Sequence, residues 1–297
     1  MRILLTGGSG FIGRNLAAHL AARHEVLTPG RDELDLTDAG AVDRWFAETE
    51  VDVVIHGAVR PGHRNAADPS MQLWSNLRMF FGIARNAHRF RRLIFLSSGG
   101  VYDVSRPQDL VREEDLGRWL PSDEHGLSKY AIAQSIAGRR SATMADAVEL
   151  RLFGVYGPHE DYAIRFISNA ICKSLFDLPI TLRQNRTFSY LSIGDLGPIV
   201  DHFLEGPIAH GAYNVVPDWT DDLLDLAHLV RDRSGRHIPI NVSAPGFGMP
   251  YTASNARLRS VLPDARFTSS EVGIDRLFTW YESRRTDLDI QNLLVDK

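Results

Sequence analysis

The first thirteen residues constrain the fold most. A short apolar run, Ile3 to Leu5, ends at Thr6 and enters glycines spaced Gly7-x-x-Gly10-x-x-Gly13. Apolar residues then recur at helical spacing: Ile12, Leu16, Ala17 and Leu20. This order reads as buried strand, tight turn, helix. Each glycine has a physical task. Gly7 permits the turn, Gly10 lets a pyrophosphate approach a backbone without Cβ, and Gly13 lets the helix pack close to the strand. The free N–H groups and positive end of the helix then face the phosphates. Such a start predicts a dinucleotide-binding unit.

The pattern that follows extends it. Strands are expected over Arg2–Thr6, Glu25–Thr28, Val53–His56, Leu93–Ser97 and Ala147–Phe153. Helices are expected over Arg14–Arg23, Ala39–Thr49, Ser70–Ala87 and Ser128–Arg139. Alternation of this kind implies an α/β fold, a doubly wound parallel sheet with right-handed crossovers. After Tyr156-Gly157-Pro158 the rhythm loosens, and Pro and Gly cluster between 239 and 250. A Rossmann domain is therefore expected over 1–155, rejoined by 189–205, with a smaller mixed α/β substrate lobe over 156–188 and 206–297. Asp221–Arg231 and Ser270–Arg284 read as amphipathic helices of that lobe. Its place is over the carboxyl ends of the strands, where open α/β sheets bind ligands.

Composition narrows the partners. A chain of 297 residues with 44% hydrophobic residues can build a full core, and a formal charge of -4 argues against a nucleic-acid-binding surface. The run Arg89-Phe-Arg-Arg92 reads as a solvated helix end. One cysteine, Cys172, excludes an intramolecular disulfide, shows no zinc spacing and is expected to be buried on a helix. The strand at the extreme N-terminus leaves no room for a signal peptide, and no apolar stretch is long enough to cross a membrane. A cytoplasmic protein without a metal site is expected. Glu113-Glu-Asp115 reads as solvated.

The end of the second strand tests the cofactor. An acid there would bind a ribose diol and repel a 2′-phosphate. Here that position holds Gly30, followed by Arg31, whose guanidinium matches phosphate geometry. NADP is therefore expected, with NAD the less favoured cofactor, although Asp32 and Glu33 lower the local potential. Asp35 and Leu36, after a short third strand, would contact adenine.

These residues resemble the extended short-chain dehydrogenase/reductases, the nucleotide-sugar epimerase, dehydratase and reductase family. Thr6–Gly13 matches the family's T-G-x-x-G-x-x-G, His56-Gly-Ala-Val59 its H-x-A-A strand end, and Ser97-Ser-Gly-Gly-Val-Tyr102 its S-S-x-x-V-Y. Arg151-Leu-Phe-Gly-Val-Tyr-Gly-Pro158 matches R-x-x-N-V-Y-G-P except at Gly154, and Phe188–Asp195 aligns with R-D-F-x-H-V-D-D with its Arg and first two acids replaced. Tyr251–Leu258 and Gly273–Tyr281 look like the family's C-terminal helices. The link Arg31–Asp38 looks most like the GDP-fucose synthase branch. The resemblance implies cofactor contacts at Gly7, Gly10, Phe11, Ile12, Gly13, Arg31, Asp35, Leu36, Ala58 and Lys129. It implies a nucleotide-sugar substrate near Asn76, Arg165 and Arg186, and a homodimer through Met71–Ala84 and Ile132–Ile136.

The family's chemistry is hydride transfer at a sugar carbon, with a Tyr in Y-x-x-x-K exchanging a proton with the oxygen, a Lys on the nicotinamide ribose and a Ser at the same oxygen. The matching positions are His125, Lys129 and Ser98. A four-residue spacing puts His125 and Lys129 on one helix face. The departure is chemical: a phenol titrates near 10 and an imidazolium near 6.5, and a neighbouring Lys pushes the imidazole towards neutrality. A neutral imidazole is a good base and a poor acid. Three readings follow. His125 works as the acid/base; another group such as Tyr102, Tyr130 or a substrate-lobe residue moves the proton; or the site has kept binding and lost redox chemistry. The expected activity is NADP-dependent reduction or epimerisation of a 4-keto sugar on a nucleoside diphosphate. The alternatives are a retired NADP(H)-binding sensor or assembly protein and a nucleotide-sugar dehydratase.

Overall fold

The computed structural model describes residues 1–61, 68–139 and 146–294. The chain runs β1 (Arg2–Thr6), α1 (Phe11–Leu20), β2 (Glu25–Leu27), α2 (Ala39–Glu48), β3 (Val53–His56), α3 (Gln72–Ala84), β4 (Arg92–Ser98), β5 (Gln108–Val111), α4 (Glu124–Arg139) and β6 (Ala147–Leu152). It continues β7 (Gly154–Tyr156), α5 (Phe166–Leu175), β8 (Ile180–Asn185), β9 (Thr187–Phe188), β10 (Tyr190–Ser192), α6 (Ile193–Glu205), β11 (Ala212–Val215) and β12 (Asp221–Asp222). Then come α7 (Leu223–Ser234), β13 (Ile240–Phe247), β14 (Tyr251–Ala253), α8 (Ala256–Val261) and α9 (Ser270–Glu282).

Six strands form one sheet in the order β11-β6-β4-β3-β1-β2, and every pairing is parallel. The inner strands β1, β3 and β4 carry buried apolar runs because helices cover both faces, whereas edge strand β2 is only partly buried. One core layer packs β1, β3, β4 and β6 against α1 and α6, through Leu16, Leu20, Ile199 and Phe203. The opposite layer packs Leu4, Val54 and Phe95 against α2, α3 and α4, through Phe46, Phe80 and Ile132. Strand order reverses between β1 and β3, the crevice where open sheets take their ligands. A separate cluster joins α5, α7 and α9 through Ile171, Leu226 and Leu277. A further small sheet has the order β12-β9-β14-β5. Among the described residues no helix is long and apolar enough to cross a membrane.

Several expectations are corrected. No third strand precedes α2: residues 28–38 form turns, because Asp35 accepts bonds from Thr37 N (2.9 Å) and Thr37 Oγ1 (2.7 Å) and so draws the chain into a local loop. Helix α1 begins at Phe11 rather than Arg14, with Gly10 as its cap. Helix α4 begins at Glu124 rather than Ser128, its first turn opened by Asp123 Oδ1 accepting from Gly126 N at 2.8 Å. Tyr251 starts a strand, not a helix. Glu113 is buried, accepting from Asn214 N at 2.7 Å. Arg92 is also buried, its Nη1 donating to Phe203 O and Gly206 O at 2.7 and 2.8 Å. Cys172 is buried on α5, as expected.

Candidate active site

The glycine turn forms a cradle that no side chain fills. A Cβ on Gly13 would lie 2.1 Å from Gly7 O, so α1 can meet the turn this closely only through glycine. Gly10 caps α1 without any side-chain bond, and the first turn carries no acid. The helix N-terminus is thus free to receive an anion.

Two cavities meet at this turn. One of about 420 Å³ is lined by Gly10, Thr28, Arg31, Asp35, Leu36 and Ala58. The other, of about 660 Å³, is lined by Phe11, Ile12, Gly13, Ser98, His125 and Lys129. Gly7, Gly57 and Val59 line both. A channel in two parts, joined at the glycine turn, has room for a dinucleotide. In the smaller cavity Arg31 is 73% exposed and pairs with Asp35 Oδ2 at 3.6 Å.

The other end collects the expected catalytic positions. Ser98 closes β4 and its Oγ accepts from Gly100 N at 3.1 Å. His125 and Lys129 project from successive turns of α4 into the same cavity. Lys129 is buried; its Nζ donates to Leu96 O at 2.9 Å and sits 4.4 Å from the centre of the Phe95 ring. Burial pulls this amine down to about 7, opposed by the Glu149 carboxylate. Burial, with the Lys129 charge next, pulls His125 down to about 4, so its imidazole is neutral at physiological pH.

The expected substrate residues divide. Arg165 and Arg186 line the larger cavity. Asn76 lines neither: it is buried, its Oδ1 accepting from Arg60 N (2.7 Å) and its Nδ2 donating to Ser128 Oγ (3.1 Å). It ties α3 to α4 behind the site. Asp195, retained from the family pattern, accepts from Thr268 N (2.8 Å) and Thr268 Oγ1 (2.7 Å) and is structural.

The cavity wall opposite α4 escaped the sequence reading. It is aromatic: Phe153, Phe188, Tyr190 and Tyr251. Phe188 and Tyr190 stack at 5.1 Å, and Phe153 and Tyr251 lie 4.9 Å apart. The signal was present at Gly154. A Cβ there would lie 2.6 Å from Tyr190 Cδ1, so losing the family's Asn makes room for the Tyr190 ring.

Known proteins resemble this arrangement. Residues 3–215 match a family described as NAD dependent epimerase/dehydratase. GDP-L-fucose synthase from Azorhizobium caulinodans is 39% identical over 107 residues, 34% of each chain, so the match spans about a third of that relative's length. The GDP-mannoheptose C4 reductase from Campylobacter jejuni, solved with NADP bound, superposes with a TM-score of 0.82 at 16% identity, covering 95% of this chain and 98% of that one. The UDP-glucose 4-epimerase of Thermus thermophilus, in complex with NAD, gives 0.79 at 23% identity, covering 95% and 99%. At such identities the superpositions establish the fold.

Proposed function

The chain belongs to the NAD dependent epimerase/dehydratase family, and from that premise we propose that it is an NADP(H)-dependent oxidoreductase of a nucleotide-linked sugar, reducing or epimerising a 4-keto group. The observation that carries the reading is the convergence of Ser98, His125 and Lys129 on one end of a channel whose other end is the glycine cradle and Arg31. A nicotinamide held at that end supplies or accepts the hydride. Gly7, Gly10 and Gly13 hold the pyrophosphate, and Arg31 selects the 2′-phosphate, its guanidinium outweighing the Glu33 carboxylate that accepts from Gly30 N at 3.0 Å. Ser98 Oγ hydrogen-bonds the sugar oxygen. Lys129 orients the nicotinamide ribose and contributes positive charge. His125, neutral, accepts a proton rather than giving one. Arg165 and Arg186, at the cavity mouth, pair with the diphosphate, a role suited to guanidinium forks.

In this reading residues 1–155 and 189–205 serve the cofactor and the remaining segments the sugar. Trp74 and Phe81, exposed on α3, make that helix a candidate homodimer face. The test is single-turnover oxidation of NADPH by the whole protein against a panel of 4-keto nucleotide sugars. Nicotinamide absorbance should decay in one enzyme equivalent with at least one substrate. Tight NADPH binding without decay, and without affinity for any nucleotide sugar, would refute the reading.

A further inference from the structure

A neutral His125 is a poor acid for the reduction of a ketone. Lys129 Nζ is committed to Leu96 O at 2.9 Å and to the Phe95 ring, which leaves the tyrosines around the site. Tyr102 is committed elsewhere: its Oη accepts from Arg151 Nη1 at 2.6 Å and donates to Asn214 Oδ1 at 2.7 Å. Tyr130 Oη accepts from Gln134 Nε2 at 3.0 Å on α4, away from the cavity lining. The phenols that line the cavity with Ser98, His125 and Lys129 are Tyr190 and Tyr251.

Tyr251 is the better placed. Its backbone is pinned in β14: its carbonyl accepts from Ser189 N at 3.1 Å, and the strand runs between β5 and β9 in register with Gln108 and Phe188. Its ring is held by Phe153 at 4.9 Å and Phe188 at 5.6 Å. Its hydroxyl reaches the end of β4, where Oη lies 2.7 Å from the point a Cβ on Gly99 would occupy. The same Cβ would lie 2.6 and 2.7 Å from Phe153 Cε1 and Cδ1, so the glycine beside Ser98 makes room for the Phe153 ring and the Tyr251 hydroxyl together. The hydroxyl has no hydrogen-bond partner among the described residues, and Ser98, which precedes Gly99 in the chain, lines the same cavity. Tyr190 sits differently: its ring covers Gly154 and stacks on Phe188.

We infer that Tyr251, from the second lobe, is the proton-transfer residue of this site, taking over the task of the phenol that His125 replaces. The inference rests on the oxidoreductase reading above. In the reducing direction the carbonyl carbon gains a hydride, whose two electrons come from the reduced nicotinamide. The C=O π pair moves onto oxygen, that oxygen takes the Tyr251 proton as the phenolic O–H bond breaks, and water returns a proton to the phenolate. Burial holds the phenol well above its ordinary range, which keeps the proton on Tyr251 until an alkoxide forms.

The experiment compares the whole wild-type protein with Tyr251→Phe, Tyr190→Phe and Gly99→Ala. Single-turnover hydride transfer should fall at least about 100-fold in Tyr251→Phe, the range for loss of a general acid. It should stay within about threefold of wild type in Tyr190→Phe. Gly99→Ala should impair transfer while retaining NADPH binding, because its Cβ displaces the Tyr251 hydroxyl and the Phe153 ring beside it. A second readout needs no turnover. Ultraviolet difference spectra are taken as GDP-mannose or UDP-glucose is added to the NADP-loaded protein. A tyrosine perturbation should appear in wild type and vanish in Tyr251→Phe, with probe affinity changed by no more than about tenfold, the worth of one hydrogen bond. Wild-type rates and an unchanged spectrum in Tyr251→Phe would overturn the inference and leave the oxidoreductase reading standing. A wild type that transfers no hydride to any 4-keto sugar would refute that reading and the acid role with it. The spectra would then decide separately whether Tyr251 touches the sugar.

Discussion

Arg151→Met tests how the floor of the site is held. Arg151 and Glu149 lie two residues apart on β6 and so share a face of the sheet. Arg151 Nε and Nη2 donate to Glu149 Oε2 at 3.0 and 2.8 Å, with the side chains 3% and 1% exposed. Glu149 pairs in register with Phe95, whose ring carries the Lys129 ammonium on the same face. Removing the guanidinium strands a carboxylate in the core. Breaking such a pair from one side costs about 3–5 kcal/mol. That is the loss expected for Arg151→Met. The assay is urea denaturation of wild type, Arg151→Met, Glu149→Leu and the double variant. The double variant should recover most of the loss, because an apolar pair replaces a buried ion pair at little cost. Additivity of the two single variants within about 0.5 kcal/mol would show that the pair is uncoupled and overturn this prediction.

Two further outcomes follow from the same geometry. Arg31→Ala should weaken NADPH binding about tenfold, the lower end for a charge-assisted bond because the side chain is 73% exposed, and leave NADH binding unchanged; equal effects on both, measured by fluorescence titration, would remove Arg31 from the 2′-phosphate. His56 is buried, its Nδ1 2.8 Å from Thr6 Oγ1, and burial, with the Lys129 charge, lowers it from 6.5 to about 3. Its contribution to stability is present above pH 6.5 and is lost as pH falls towards 3, by about 2 kcal/mol at pH 5. His56→Asn should flatten this dependence between pH 7 and 5, and an unchanged slope would show that His56 is not its source.

The first half of the fold was legible because its signals are local. The glycine turn, the buried strands and the i, i+4 pair His125 and Lys129 each lie within one element, where period and spacing carry the information. Residues 28–38 misled because turn formation by Asp35 and Thr37 outweighed the third strand that the family pattern suggested. The aromatic wall was hidden for another reason. Strands β9, β10 and β14 are two or three residues long, too short for a period of two to register. Tyr251 meets Gly99 across 152 positions of sequence. Glu113 and Arg92 look solvated in a charged run; only tertiary partners, Asn214 and the end of α6, bury them. The His125 departure was visible from the start, but its chemical consequence depended on burial and on the phenol opposite.

Hydride transfer to a nucleotide-linked sugar can be followed with NADPH carrying deuterium at the transferred position of the nicotinamide, one turnover with a 4-keto nucleotide sugar, and mass and NMR analysis of the product. One deuterium is expected on the sugar C4 carbon. Full retention of deuterium on the nicotinamide, with the sugar dehydrated or unchanged, would rule out hydride transfer at this site.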